Sequence, residues 1–238
     1  MAQTASIFAP ILICAASSAE ARAVARGIKS SPHAAKFELL ETGMGLLRAR
    51  LALTERLGSG PKPSLIVSAG LAGALGEGLP LDSWITTERV YLFEESGIEV
   101  YPTTAVPGVR SVFVVSSSEV VVAEHDQQFP GIPEPAAVDM ESASLAQVAA
   151  EHLIPFTVLR MISDTPDCPL PKFVTKFAAA MSARDISTQF RMGTQGTFSA
   201  LRNPRDLVRL VKNSRRWSSL LMRGWTEYSE KISACKID

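Results

Sequence analysis

Three short apolar runs constrain the fold of this chain more than any other feature: Ile11–Ala15, Leu65–Val67 and Phe156–Met161. Each is continuous rather than alternating, and each is too short for a helix of several turns. Such runs suit strands covered on both faces. Helical stretches lie between them. Ser17 and Ser18 are N-cap types with Glu20 near capping-box spacing, and the helix they open is expected to end at Gly27. A second strand is expected over 37–42 and a helix over 46–57, stopped by the Gly58-to-Pro61 segment. Ser68–Gly76 reads as a small-residue turn. Further strands are expected over 85–93 and 112–115, and a helix over 141–152. Thr165–Pro171 holds three prolines and reads as a loop, with a helix over 172–191 after it. Strands alternating with helices predict a three-layer α/β/α fold with a mixed, mostly parallel central sheet.

At 238 residues the chain can bury one sizeable core. Lys+Arg and Asp+Glu are both 24, so a general nucleic-acid binder, which needs a basic excess, is not expected. No run of about 20 apolar residues predicts a transmembrane helix. Ile7–Ala16 has two readings, a secretory apolar region or a buried first strand. No Lys or Arg precedes Arg22, so the basic start of a signal is missing and the strand is favoured. Cys14, Cys168 and Cys235 form no C-x-x-C pair, which argues against a disulfide framework or zinc knuckle and for a reducing, cytoplasmic location. His33, His125 and His152 suggest no metal site.

Residues 201–238 are expected to form a basic helical extension to a catalytic domain of residues 1–200. Arg202, Arg205, Arg209, Lys212 and Arg216 recur at helical spacing. Leu207, Leu210, Val211, Trp217, Leu221 and Trp225 lie roughly opposite. Two readings are open: a helix docked on the body with its charges in water, or a surface meeting an anionic membrane or amphiphilic substrate.

Candidate chemistry rests on three carboxylates. Glu20 follows the first strand, Glu141 opens a helix after an extended stretch, and Asp164 ends the last strand. In α/β sheets, ligands gather beyond the carboxyl ends of strands. Convergence of the three would raise at least one carboxyl pKa, as a proton donor requires. Singly, each has an ordinary explanation: Glu20 and Glu141 as first-turn acids favoured by the helix dipole, Asp164 as a turn cap.

Ala137-Val-Asp-Met-Glu-Ser142, followed by the 155–164 segment ending Arg160-Met-Ile-Ser-Asp164, resembles the signature of the nucleoside phosphorylase and methylthioadenosine/S-adenosylhomocysteine nucleosidase superfamily. Leu65–Leu75 resembles its glycine-rich ribose or anion loop, and Thr42-Gly-Met-Gly45 a second family loop. Ala19-Glu-Ala-Arg22 and the basic C-terminal helix are similar to a hopanoid-associated subgroup that acts on an adenosyl-lipid precursor. The resemblance implies a nucleoside phosphorylase-like fold, a small-molecule nucleoside substrate, and a homodimer or higher homo-oligomer. It implies that Asp164 protonates N7 of a purine, with Ser163 orienting it. Glu141 would bind the ribose hydroxyls, Met140 would pack beneath the sugar, and Glu20 would activate water. Gly70, Ala72 and Gly73 of the glycine-rich loop, and Val120, would line the substrate site.

Leu65, Ile66 and Val67 stand where phosphorylases carry an Arg, and Ala15-Ala-Ser-Ser18 replaces their phosphate loop, so hydrolysis is favoured over phosphorolysis. Arg22, Arg48 and Arg89 remain as sources of positive charge. No cofactor is implied, although phosphate would be co-substrate in a phosphorylase. Three positions depart from the family: Leu71 stands for a Ser, Val120 for an aromatic that stacks adenine, and Asp139 for a Glu. A catalytically silent nucleoside binder and a dinucleotide binder are the rival readings. Gly70-x-x-Gly73-x-x-Gly76 lacks the spacing that the dinucleotide binder needs.

Overall fold

A computed structural model describes residues 9–94, 97–118, 121, 129, 131–171, 174 and 204–235. The helix expected over 172–191 lies outside the described residues, as do Val120 and His125.

The three apolar runs become the centre of one ten-stranded sheet. Strand β1 (Ile11–Ala15) is buried at every position. It pairs in parallel with β2 (Phe37–Glu41) and with the first half of β3 (Leu65–Leu75). On its other side β3 pairs in parallel with β10 (Phe156–Asp164). The remaining described strands are β4 (Trp84–Thr86), β5 (Arg89–Glu94), β6 (Gly97–Pro102), β7 (Arg110–Ser111), β8 (Phe113–Ser116) and β9 (Ala136–Asp139). Parallel pairs β5–β8 and β8–β9 join to the centre through an antiparallel pairing of β9 with the end of β3. The sheet is therefore mixed and mostly parallel.

Four described helices flank it: α1 (Ser18–Lys29), α2 (Leu46–Ser59), α3 (Ser142–Glu151) and α4 (Pro204–Ser233). Helix α1 opens with a complete capping box between Ser17 and Glu20. Apolar residues on the two faces of the sheet fall into separate clusters. Leu12, Ile66 and Val158 join α2 and α3 residues such as Leu53 and Leu145. Ile13, Val67 and Leu159 join Val24 of α1 and Trp225 and Ile232 of α4. The C-terminal helix thus docks on the body through Trp217, Leu221 and Trp225, all buried. It crosses α1 closely at Gly27, where an added Cβ would sit 2.4 Å from the Met222 carbonyl oxygen.

Two local expectations need correction, and strand β6 was not expected. Ser68–Gly76 is not a turn, because β3 runs on through Leu75. Its small residues leave room for side chains arriving from other elements. The segment 85–93 is two strands, broken at Thr87, whose hydroxyl accepts from the Arg89 amide across a tight local turn. Strand β6 has a mostly exposed sequence with no apolar run to reveal it.

Candidate active site

Glu20, Glu141 and Asp164, remote in the chain, line a single cavity of about 610 Å³. That size suits a small-molecule ligand. Met140, Ser163, Ala72 and Gly73 share its wall, as do Met44 and Val121. Gly70, expected in the substrate site, does not line it and lies against Glu20 and Arg160.

Asp164 is placed by a bulge. The register of β10 against β3 shifts between Ile162 and Asp164, so Ser163 is the extra residue. Neighbouring strand residues ordinarily point to opposite faces. Here Ser163 and Asp164 both reach the cavity. The Ser163 hydroxyl lies 2.6 Å from Asp164 Oδ1, to which it donates. Burial pushes the Asp164 carboxyl above the usual aspartate range, against the opposing effect of that hydroxyl.

Glu20 belongs to the first turn of α1, and its structural role is real. Its Oε2 accepts from the Ser17 amide at 3.0 Å and the Ser17 hydroxyl at 2.7 Å. Its Oε1 accepts from the Leu71 amide at 2.9 Å, which ties the helix to β3. Gly70 makes that approach possible. It has φ +145°, and a Cβ there would lie 2.4 Å from Glu20 Oε1 and 2.9 Å from Arg160 Nη1.

Glu141 stands at the N-cap of α3 without capping it by its own side chain. Asp139 fills that role from β9: its Oδ1 accepts from the amides of Glu141 at 3.3 Å and Ser142 at 3.2 Å. The Glu141 carboxylate is left free to turn toward the cavity. Its Oε1 accepts from the Gly45 amide at 2.9 Å, and its Oε2 from Arg160 at 3.3 Å. Burial raises the Glu141 carboxyl above the usual range, and the nearby Asp139 adds to this, while Arg160 and the Gly45 amide pull it back.

Arg160 is the functional residue that the sequence reading passed over. It is 2% exposed, inside a strand that is buried throughout. Its Nη2 meets Asp139 Oδ2 at 3.1 Å and Glu141 Oε2 at 3.3 Å, and donates to Ser68 at 2.8 Å and Ser142 at 3.3 Å. Its Nη1 donates to the Leu71 carbonyl at 3.2 Å. Asp139 is completed by Ser116 at 2.6 Å and by the Ser142 hydroxyl. A guanidinium within an apolar strand must be paired, and that was the available signal. Arg22, Arg48 and Arg89 do not line the cavity; Arg160 and Arg215 do.

The opposite wall is mostly apolar, although Ser214, Arg215 and Ser218 of α4 also line it. Leu71, Leu170, Val174 and, from α4, Leu210, Val211, Trp217 and Leu221 form it. Leu71 packs against the cluster of Ala23, Met161, Trp217 and Leu221.

The family model described as the phosphorylase superfamily matches residues 122–186. A methylthioadenosine/S-adenosylhomocysteine nucleosidase of Listeria innocua is 30% identical over 158 residues, covering 53% of this chain and 67% of the relative. The chain belongs to the phosphorylase superfamily. A second superfamily nucleosidase, from Actinobacillus succinogenes, is 27% identical over 157 residues, 54% of this chain and 68% of its own length. Among solved structures, the futalosine hydrolase of Helicobacter pylori superposes with TM-score 0.63 at 13% identity, covering 96% of this chain and 99% of that one. A methylthioadenosine/S-adenosylhomocysteine nucleosidase of the same organism, bound to butyl-thio-DADMe-Immucillin-A, gives 0.59 at 17% identity, with coverages of 80% and 100%. These likenesses show that the superfamily fold is shared. Against the superfamily pattern, Leu71 takes its place in the apolar wall, and Asp139 serves as both helix cap and partner of Arg160.

Proposed function

We propose that this protein hydrolyses the N-glycosidic bond of a purine nucleoside. The observation that carries the reading is the meeting of Glu20, Glu141 and Asp164 around one cavity. Asp164, its pKa raised by burial, is suited to hold a proton and deliver it to N7 as the bond from C1′ to N9 breaks. The bonding electrons leave with the base, which departs neutral. Water adds to C1′, and its proton passes to Glu20. The sugar carries positive charge in the transition state, and the surrounding carboxylates stabilise it. Each Glu141 oxygen accepts one protein hydrogen bond and keeps capacity for a ribose hydroxyl. Ser163 fixes the orientation of the acid.

Water is favoured over phosphate as nucleophile because the deepest cation is turned mainly to protein groups, with only its Nε left without a partner among the described residues. Arg160 spends its Nη donors on Asp139, Glu141, two serines and a carbonyl. The apolar wall from α4 supports a nucleoside whose 5′ carbon bears an apolar substituent, since a purine and a ribose present mostly polar edges. The named relatives among the nucleosidases agree with this reaction class. Assays with and without phosphate test it. Free base and ribose at the same rate in both are expected; base release that requires phosphate and yields ribose 1-phosphate overturns hydrolysis.

A further inference from the structure

The basic residues of α4 form one stripe, and that stripe borders the cavity. From Val208 to Arg223 the helix carries Arg209, Lys212, Arg215, Arg216 and Arg223 and no carboxylate, within a chain whose charges balance. Leu210, Ser214, Trp217 and Leu221 recur at helical spacing and face the cavity. Val208, Lys212, Ser219 and Arg223 follow the same spacing two residues out of step, on the outward side, and Arg215 stands at the edge between the two faces. Val208 is 54% and Val211 47% exposed, although elsewhere on α4 large apolar side chains such as Trp217, Leu221 and Trp225 are buried. Val211 and Arg215 are exposed yet also line the cavity, so the cavity reaches the surface at the edge of this stripe.

Arg216 pairs with Asp82 at 2.7 Å, and Arg209 donates to the Pro169 carbonyl at 3.2 Å. Among the described residues no ion pair neutralises Lys212, Arg215 or Arg223. Unpaired cations interleaved with exposed valines match a surface that is anionic outside and apolar beneath. We propose that the outward stripe of α4 docks on the headgroup layer of an anionic bilayer, which sets the cavity mouth at the membrane. Nucleic acid would satisfy the cations but not the valines. No described helix is long and apolar enough to cross a membrane, and the contact proposed for α4 is a surface one. The proposal does not depend on which reaction the cavity performs.

The test is flotation of the full chain with vesicles of phosphatidylcholine alone or mixed with phosphatidylglycerol. Capture by the anionic vesicles only, lost as salt rises, is expected. The double variant Lys212→Glu, Arg223→Glu should lower partitioning at least 25-fold, at roughly five-fold per cation removed from an anionic surface. Val208→Ser should weaken it by a few-fold. None of these residues lines the cavity, so nucleoside cleavage and the thermal melt should stay at wild-type values and report an intact fold. Absence of capture by anionic vesicles overturns the proposal, as does equal capture of the charge-reversed protein. If Val208→Ser has no effect and a DNA duplex displaces the protein from vesicles, the surface is a general polyanion site and the membrane assignment is wrong.

Discussion

The two walls of the cavity are built on opposite principles. The wall at the strand ends is polar, buried and cross-connected: Asp139, Glu141, Arg160, Ser68, Ser116 and Ser142 form one network. The α4 wall is mostly apolar and partly exposed: Leu210, Val211, Trp217 and Leu221 dominate it beside Ser214, Arg215 and Ser218. Polar groups held in a network have fixed geometry, and an unmet member costs more than a lost contact. An apolar wall tolerates change in shape at low cost. On the proposed function, the first wall would carry the reaction and the second would choose the substrate.

The strongest way to break that division is Asp164→Asn. Loss of a general acid should lower kcat by roughly 10²–10⁴-fold for every nucleoside, whatever its 5′ group. In the wild type, activity should fall as pH rises through the burial-raised pKa of Asp164, because the donor loses its proton. Stability should move the same way. A carboxyl whose folded pKa lies above its unfolded value contributes stability that is fully present below the unfolded pKa and lost as pH rises through the folded one. Asparagine carries no such penalty, so the variant should melt no lower than wild type at neutral pH. A variant with wild-type turnover would remove Asp164 from the mechanism.

Next in size is Arg160→Leu. It strips Asp139 and Glu141 of their buried cation, and breaking a buried pair on one side costs about 3–5 kcal/mol. Urea unfolding should show that loss. A variant as stable as wild type would mean that the polar wall is not the rigid member of the pair.

Much of this wall was legible in the sequence, but for unequal reasons. The buried runs placed β1 and β10, and carboxylates at or just past strand ends pointed to a shared crevice. Arg160 was harder to see, because its partners Asp139, Glu141 and Ser68 belong to other strands and a helix start. The extension of β3 was hidden for a related reason. Its small residues answer to Glu20, Arg160 and Asp164 approaching from outside the strand, which local propensity does not register. The α4 wall was half legible. Helical spacing paired Trp217, Leu221 and Trp225 on one face, but only the docking against α1 and Leu71 reveals that this face closes a cavity. Val120 and the segment after Val174 lie outside the described residues.

The smallest expected effect sharpens the comparison most. Leu210 lines the cavity from α4 and is only partly buried. Leu210→Ala removes apolar surface without touching any carboxylate. Partial burial of a leucine is worth about 1 kcal/mol or somewhat more, near five-fold in affinity. For a nucleoside with an alkylthio 5′ substituent, KM should rise by about that factor with kcat unchanged. For plain adenosine, which lacks that substituent, both constants should hold. A matching rise for adenosine would mean that α4 shapes the nucleoside site itself, and a change in kcat would mean that the two walls are coupled. Only the substrate-dependent rise in KM leaves chemistry on one side of the cavity and selection on the other.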